Sequence, residues 1–226
     1  MMRKPFVFIN AAVSVDGKIS TVERKQVRIS NDADLRRVDG LRAGVDAVLV
    51  GMTTVVRDDP KLTVKSEKLR EKRINDGRPE NPMKVTVGKV DRIDIDSDFL
   101  NYGDAEVVIF TTEKSDPQKI SELRGKARIF IAGKKRVDLK YVMKTLREMD
   151  VERVMVEGGA TINYELIKEG LVDEIYVAIA PIIFGGSSAP TLMDGSGFTE
   201  KDAVRLELIG NEKLGDLMIL KYRVID

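Results

Sequence analysis

Val156-Glu157-Gly158-Gly159-Ala160-Thr161-Ile162-Asn163 is the stretch whose reading decides the fold. Before it, Val151 to Met155 is an apolar, β-branched run that reads as a buried strand. After it, Thr161 to Glu169 has helical spacing. The chain therefore turns a strand-to-helix corner here. Paired glycines let the backbone bend sharply and approach a ligand, and the first N–H groups of the following helix have no partner within it. Such a corner can hold a phosphate or pyrophosphate. It also reads as a plain tight turn. Glu157 falls at the carboxyl end of the strand, where α/β sheets form ligand crevices.

Outward from that corner the same alternation recurs. Strands are expected at Phe6 to Ala12, Val45 to Val50, Met83 to Val87, Glu106 to Thr111 and Ala127 to Ile131. Helices are expected at Asp32 to Ala43, capped by Ser30 or Asn31, at Ile120 to Leu123, and at Asp138 to Met149. Asp173 to Ala180, Val204 to Leu208 and Asp216 to Val224 follow as strands with no helix between them, so antiparallel pairing is expected at the end. The pattern predicts a three-layer α/β/α domain with a mixed, mostly parallel sheet. Lys65 to Asn81 is polar and turn-rich and reads as a mobile surface excursion.

The 226 residues can bury one ample core, and a single domain is expected. Lys plus Arg, 38, nearly balance Asp plus Glu, 37, which gives no reason to expect nucleic acid or an acidic membrane as partner. Two absences narrow the chemistry more. With no Cys and no His, zinc sites built on those residues, thiol nucleophiles, disulfides and Ser-His-Asp triads are excluded, and no metal is expected. Asp, Glu, Lys, Tyr and water remain as proton carriers. The amino-terminal apolar run soon meets Asp16 and is too short to span a membrane, so a cytoplasmic enzyme is expected.

Several polar residues stand out, each with a competing structural explanation. Asn10 interrupts an apolar strand and either satisfies a neighbour or faces a ligand. Lys18 follows the Asp16-Gly17 turn signal and reads also as an exposed turn lysine. Arg42 closes its helix, where the dipole alone welcomes a cation. Thr53 and Thr54 follow Gly51, in a second strand-glycine-helix corner that ends at Asp58-Asp59-Pro60.

Taken in order, V-D-G-K (15–18), R-I-S (28–30), L-R-A (41–43), G-M-T-T-V-V-R-D-D-P-K-L-T (51–63), V-E-G-G-A-T-I-N (156–163), E-G-L-V-D-E (169–174) and A-P-I-I-F-G-G (180–186) resemble one family. It is the reductase of riboflavin biosynthesis, with a dihydrofolate-reductase-like fold. The resemblance implies NADPH-dependent reduction of the ribosyl group of a phosphoribosylamino-pyrimidine to a ribityl chain, with NADH as a weaker donor. The bacterial bifunctional version carries a zinc deaminase that this chain, lacking Cys and His, cannot supply. The stand-alone archaeal and fungal type is implied, with 2,5-diamino-6-(5-phosphoribosylamino)pyrimidin-4(3H)-one as substrate.

The resemblance also assigns residues. Gly158, Gly159, Ala160 and Thr161 hold the cofactor pyrophosphate, and Thr54, Asp58, Val87, Gly88, Lys89, Val90 and Val137 also face the cofactor. Asn10, Arg42, Leu62 and Lys65 hold substrate. Glu157 and Lys18 carry the chemistry, unless Glu157 merely caps the helix and Lys18 merely binds phosphate. Two departures matter: bacterial relatives tend to have Arg in place of Lys65, and Val87-Gly88-Lys89-Val90 replaces a Val-Asp-Ser type of turn. Losing a carboxylate at Gly88 and gaining a charge at Lys89 favours a 2′-phosphate, hence NADPH. A homodimer is expected. Alternatives are reduction of the deaminated 5-amino-6-(5-phosphoribosylamino)uracil, reduction of dihydrofolate, which a cationic cluster suits poorly, and a regulatory dinucleotide-binding module without turnover.

Overall fold

The apolar runs do form strands, and they alternate with helices as expected. In chain order the elements are β1 (Phe6–Ser14), α1 (Asp32–Ala43), β2 (Ala47–Gly51), α2 (Met52–Asp58), α3 (Glu67–Asn75), β3 (Met83–Val87), α4 (Asp98–Asn101), β4 (Val107–Thr111), α5 (Pro117–Leu123), β5 (Arg128–Ile131), α6 (Leu139–Glu148), β6 (Arg153–Val156), α7 (Ala160–Lys168), β7 (Glu174–Ala180), β8 (Arg205–Leu214) and β9 (Leu217–Ile225). The computed structural model describes residues 4–225 and divides into two compact units. One spans Val38–Met155; the other comprises Phe6–Arg37 and the chain from Val156 onward.

In the first unit the strand order is β5-β4-β3-β2-β6. β2, β3, β4 and β5 pair in parallel. Strands covered on both faces read as unbroken apolar runs, and every residue of Val107–Thr111 is buried. Asp46 pins the start of β2. Its carboxylate accepts the Glu152 and Arg153 N–H groups at 2.9 Å each, and Arg78 at 2.8 Å. α6 behaves as its pattern predicts: Asp138 caps it through the Lys140 and Tyr141 N–H groups, and Leu139, Val142, Met143 and Leu146 are buried.

In the second unit the order is β1-β7-β9-β8. β1 pairs with β7 in parallel, whereas β9 runs antiparallel to both β7 and β8. The mixed, mostly parallel arrangement with antiparallel carboxyl-terminal strands is thus as expected. Asp173, from the E-G-L-V-D-E motif, sets the register of β1 against β7. Its Oδ2 accepts the Val7 N–H at 2.7 Å, and its own N–H donates to the Val7 carbonyl at 2.8 Å. Of the two candidate caps of α1, Asn31 serves: its Oδ1 accepts the Asp34 N–H at 3.0 Å.

A helix within the Lys65 to Asn81 surface excursion was not expected, yet Glu67–Asn75 is helical. Its anchor is polar. Arg73, only 3% exposed, donates to the carbonyls of Pro79 (2.8 Å), Ala43 (3.0 Å) and Val45 (2.7 Å). A helix docked by a guanidinium shows no apolar stripe. The short α4 was also not expected. Asp59 holds its start by accepting the Asp98 and Phe99 N–H groups, and the buried Lys84 Nζ donates to the carbonyls of Asp98, Phe99 and Tyr102.

Candidate functional site

In the second unit, β1 ends at Ser14 and the chain turns tightly back on itself. The Ser14 N–H donates to the Lys18 carbonyl at 2.9 Å, and the Lys18 N–H donates to Ser14 Oγ at 2.9 Å. At the tip, the Asp16 carboxylate accepts the N–H groups of Phe184 (3.2 Å) and Gly185 (2.8 Å). A hydrogen bond from Ser14 is the main cause holding the Asp16 carboxyl below its ordinary pKa, against a weaker opposing effect of desolvation. The V-D-G-K turn and the A-P-I-I-F-G-G segment therefore meet.

Lys18 is then laid along a strap, Ala189–Asp194. Its Nζ donates to the Ala189 carbonyl at 3.3 Å, its backbone bridges to Thr191, and the Ile19 N–H donates to the Pro190 carbonyl at 3.0 Å. The strap continues to the glycine corner. Asn163 Nδ2 donates to the Leu192 carbonyl at 2.9 Å, and the Asp194 N–H donates to the Ala160 carbonyl at 3.2 Å. Thr191 Oγ1 donates to Asp194 Oδ1 at 2.6 Å and stiffens the strap's turn. Lys18 and the first turn of α7, about 140 residues apart in sequence, thus share one hydrogen-bonded framework. Sequence reasoning missed Asn163, Thr191 and Asp194. Only the turn-rich P-T-L-M-D-G composition marks the strap as special.

The corner itself fits a phosphate group. Gly158 has φ +95°, a conformation that favours glycine, and Gly159 caps α7 without any side-chain hydrogen bond. The Gly158–Gly159 peptide is cis. No acidic residue lies in the first turn of α7, so no carboxylate of that turn opposes an anion at its N–H groups. A Cβ on Gly158 would find only Asn163 Nδ2 nearby, at 3.9 Å. Thr161 is exposed, and Glu157, half-buried, follows directly on the last residue of β6. Asn163 is 1% exposed, and its Oδ1 has no hydrogen-bond partner among the described residues.

Asn10, on β1 in the same unit, is 7% exposed, and its Oδ1 accepts Arg37 Nη2 at 2.8 Å. It therefore does satisfy a neighbour.

In the first unit, Arg42, Leu62 and Lys65 gather around one segment. Arg42 Nη1 donates to the Thr63 carbonyl at 3.2 Å, and the buried Asp39 accepts the N–H groups of Lys65 (2.6 Å) and Ser66 (2.9 Å). Leu62 is 1% exposed and has φ +52°. Its backbone, not its side chain, is what it can offer a ligand. Lys65 is exposed.

A second group in this unit surrounds the amino end of α2. Gly51 pairs with Val87 across β2 and β3, and a Cβ on Gly88 (φ +140°) would lie 2.7 Å from Met52 Cβ. Only glycine allows that approach. Thr54 and Asp58 lie on α2, and burial raises the Asp58 carboxyl pKa while Arg57 opposes the rise. Lys89 is exposed and Val90 is buried; Val137 is half-buried on the separate loop between β5 and α6.

Comparison with known proteins identifies the family. The chain is 43% identical over 222 residues to the 2,5-diamino-6-ribosylamino-4(3H)-pyrimidinone 5′-phosphate reductase of Methanothermobacter thermautotrophicus, covering 98% of this chain and 99% of that one. It is also 43% identical over 208 residues to the protein of the same name from Archaeoglobus fulgidus, covering 92% and 94%. Among solved structures, a pyrimidine reductase-like protein from Corynebacterium diphtheriae matches with a TM-score of 0.85 at 21% identity, over 98% of this chain and 92% of that one. Residues 5–220 match the RibD C-terminal domain family, and the chain belongs to that family.

Proposed function

We propose that this chain, acting as one reductase domain, uses NADPH to reduce the ribosyl group of 2,5-diamino-6-(5-phosphoribosylamino)pyrimidin-4(3H)-one to the ribityl chain. The observation that carries the reading is the 43% identity, over nearly the whole of both chains, to an archaeal protein named for that reduction. The glycine corner supports it, since a helix start at a glycine with no acid in its first turn suits a dinucleotide pyrophosphate. Gly158, Gly159, Ala160 and Thr161 hold that group. Thr54, Asp58, Val87, Gly88, Lys89, Val90 and Val137 serve the remainder of the cofactor, with Lys89 favouring the 2′-phosphate. Bound NADPH supplies the hydride.

The chain's own residues do the rest. Arg42 and Lys65 match the charge of the substrate phosphate, and the Leu62 backbone and Asn10 position the pyrimidine and sugar. Lys18 delivers a proton to the ring oxygen as its bond to the first sugar carbon breaks, while the glycosidic nitrogen gives up its proton. That leaves a carbon–nitrogen double bond. Hydride arrives at the carbon, the nitrogen takes a proton relayed by Glu157, and the result is a secondary amine on an open ribityl chain. Two atoms of hydrogen are gained, one as hydride and one as proton. A cytoplasmic homodimer is the state in which we place this activity.

Initial rates of NADPH oxidation with the diaminopyrimidinone and with its deaminated uracil counterpart, side by side, test the reading. Faster turnover of the diamino compound is expected, and Glu157→Gln is expected to lower kcat with little change in KM. Preference for the uracil compound, or an unchanged kcat in the variant, contradicts the respective assignment.

A further inference from the structure

Arg37 has no role in any reading of the sequence, yet it is among the most constrained polar groups of the second unit. Its side chain is 14% exposed and faces Asp34, 3% exposed, one turn earlier on α1. Nε donates to Asp34 Oδ1 at 2.7 Å, and Nη2 donates to Asn10 Oδ1 at 2.8 Å. Nη1 is buried without a hydrogen-bond partner among the described residues. Asp34 is itself fixed, because its N–H donates to Asn31 Oδ1 at the helix cap.

A guanidinium only donates hydrogen bonds and keeps its charge at any ordinary pH. A carboxamide is two-faced, with an accepting oxygen on one side and a donating amine on the other. Beside Arg37, Asn10 has no choice. Turning its amide over would set two donors against each other in a buried place, so Oδ1 faces Arg37 and Nδ2 is left as the group that Asn10 offers elsewhere. Asp34 prevents Arg37 from swinging away to relieve the constraint.

We propose that Arg37 is a positioning and specificity-determining residue: it locks Asn10 as a hydrogen-bond donor to the substrate. The substrate atom that Asn10 recognises is then an acceptor, a pyrimidine carbonyl oxygen, a ring-nitrogen lone pair or a sugar oxygen. An amino group or a protonated ring nitrogen at that position is refused. This rests on the substrate role of Asn10 proposed above.

The test is steady-state kinetics of the full chain with the diaminopyrimidinone and NADPH, on wild type, Asn10→Asp and Arg37→Gln. Asn10→Asp keeps the shape and the pairing with Arg37 but presents an acceptor in place of the donor. Its substrate KM is expected to rise about ten- to a hundredfold, the usual worth of one buried hydrogen bond of this kind. The KM for NADPH should stay within about twofold, a split that general loosening of the fold would not produce. Arg37→Gln replaces a donor-only group with one that also accepts, freeing the Asn10 amide to turn, and a smaller rise in substrate KM is expected with the NADPH value again steady. It reads the same point if Asn10→Asp does not fold. A wild-type substrate KM in either folded variant overturns the proposal, as does an equal rise in both KM values. Absence of turnover in the wild-type enzyme would instead refute the proposed function on which it rests.

Discussion

Lys84 gives the sharpest physical prediction. It sits on β3 at 1% exposure with its ammonium on three main-chain carbonyls. Burial lowers its pKa from the ordinary 10.5 to about 8, with the carboxylates of Asp98 and Asp59 opposing. Between those two values the unfolded chain holds a proton on Lys84 that the folded chain has released, so unfolding takes up a proton and becomes harder as pH rises. Stability attributable to Lys84 is therefore fully present above pH 10.5 and is lost as pH falls through about 8. The full change amounts to about 3 kcal/mol. Urea unfolding of wild type and Lys84→Met at several pH values, extrapolated to water, isolates it, because other groups titrate alike in both. The stability of wild type relative to the variant should climb by up to about 3 kcal/mol from pH 7 to above 10. A difference that stays flat, or narrows with rising pH, would refute the reasoning.

Other expectations follow from the same kind of contact. Arg73→Met deletes three hydrogen bonds that dock α3 and should cost about 2–4 kcal/mol in urea unfolding, with new proteolytic cleavage in residues 65–81. Wild-type stability would refute the docking role of Arg73. Gly158→Ala meets no atom closer than 3.9 Å, so the variant should fold, at a cost of about 1–2 kcal/mol for a side chain at φ +95°. Its KM for NADPH should rise as well; lost stability with an unchanged KM would return the corner to a plain tight turn. Lys89→Ala should lower the ratio of NADPH to NADH efficiency, and an unchanged ratio removes Lys89 as the discriminator.

What could be read from sequence depended on how each element is held. α1 was legible to the residue because Asn31, Asp32 and Asp34 mark its start and Leu35, Val38 and Leu41 its spacing. β4 was legible because a strand buried on both faces is a nearly plain apolar run, whereas β3, with Lys84 and Thr86 buried in it, showed through its alternating apolar residues Met83, Val85 and Val87. α3 was hidden because its attachment is a guanidinium on carbonyls contributed by Ala43 and Val45, distant in sequence and carrying no signal of their own. β8 extends to Leu214, well past the expected Leu208, since its residues are mostly exposed and polar there and only its ladder with β9 defines it. The site follows the same division. The glycine corner, V-D-G-K and the threonine-bearing α2 announce themselves locally. The strap linking Lys18 to Asn163 does not, because it is made of main-chain carbonyls at Ala189, Pro190 and Leu192, and no side-chain pattern encodes a carbonyl's direction. Arg37 drew no reading from the sequence, because its contacts with Asp34 and Asn10 depend on the fold.

The central claim is that hydride passes to the first carbon of the substrate's sugar. NADPH carrying deuterium at the transferable position, incubated with this chain and the diaminopyrimidinone, should give a product with one deuterium on the ribityl carbon bonded to nitrogen, located by NMR. Deuterium on any other carbon, or oxidation of NADPH with none in the product, would contradict the account.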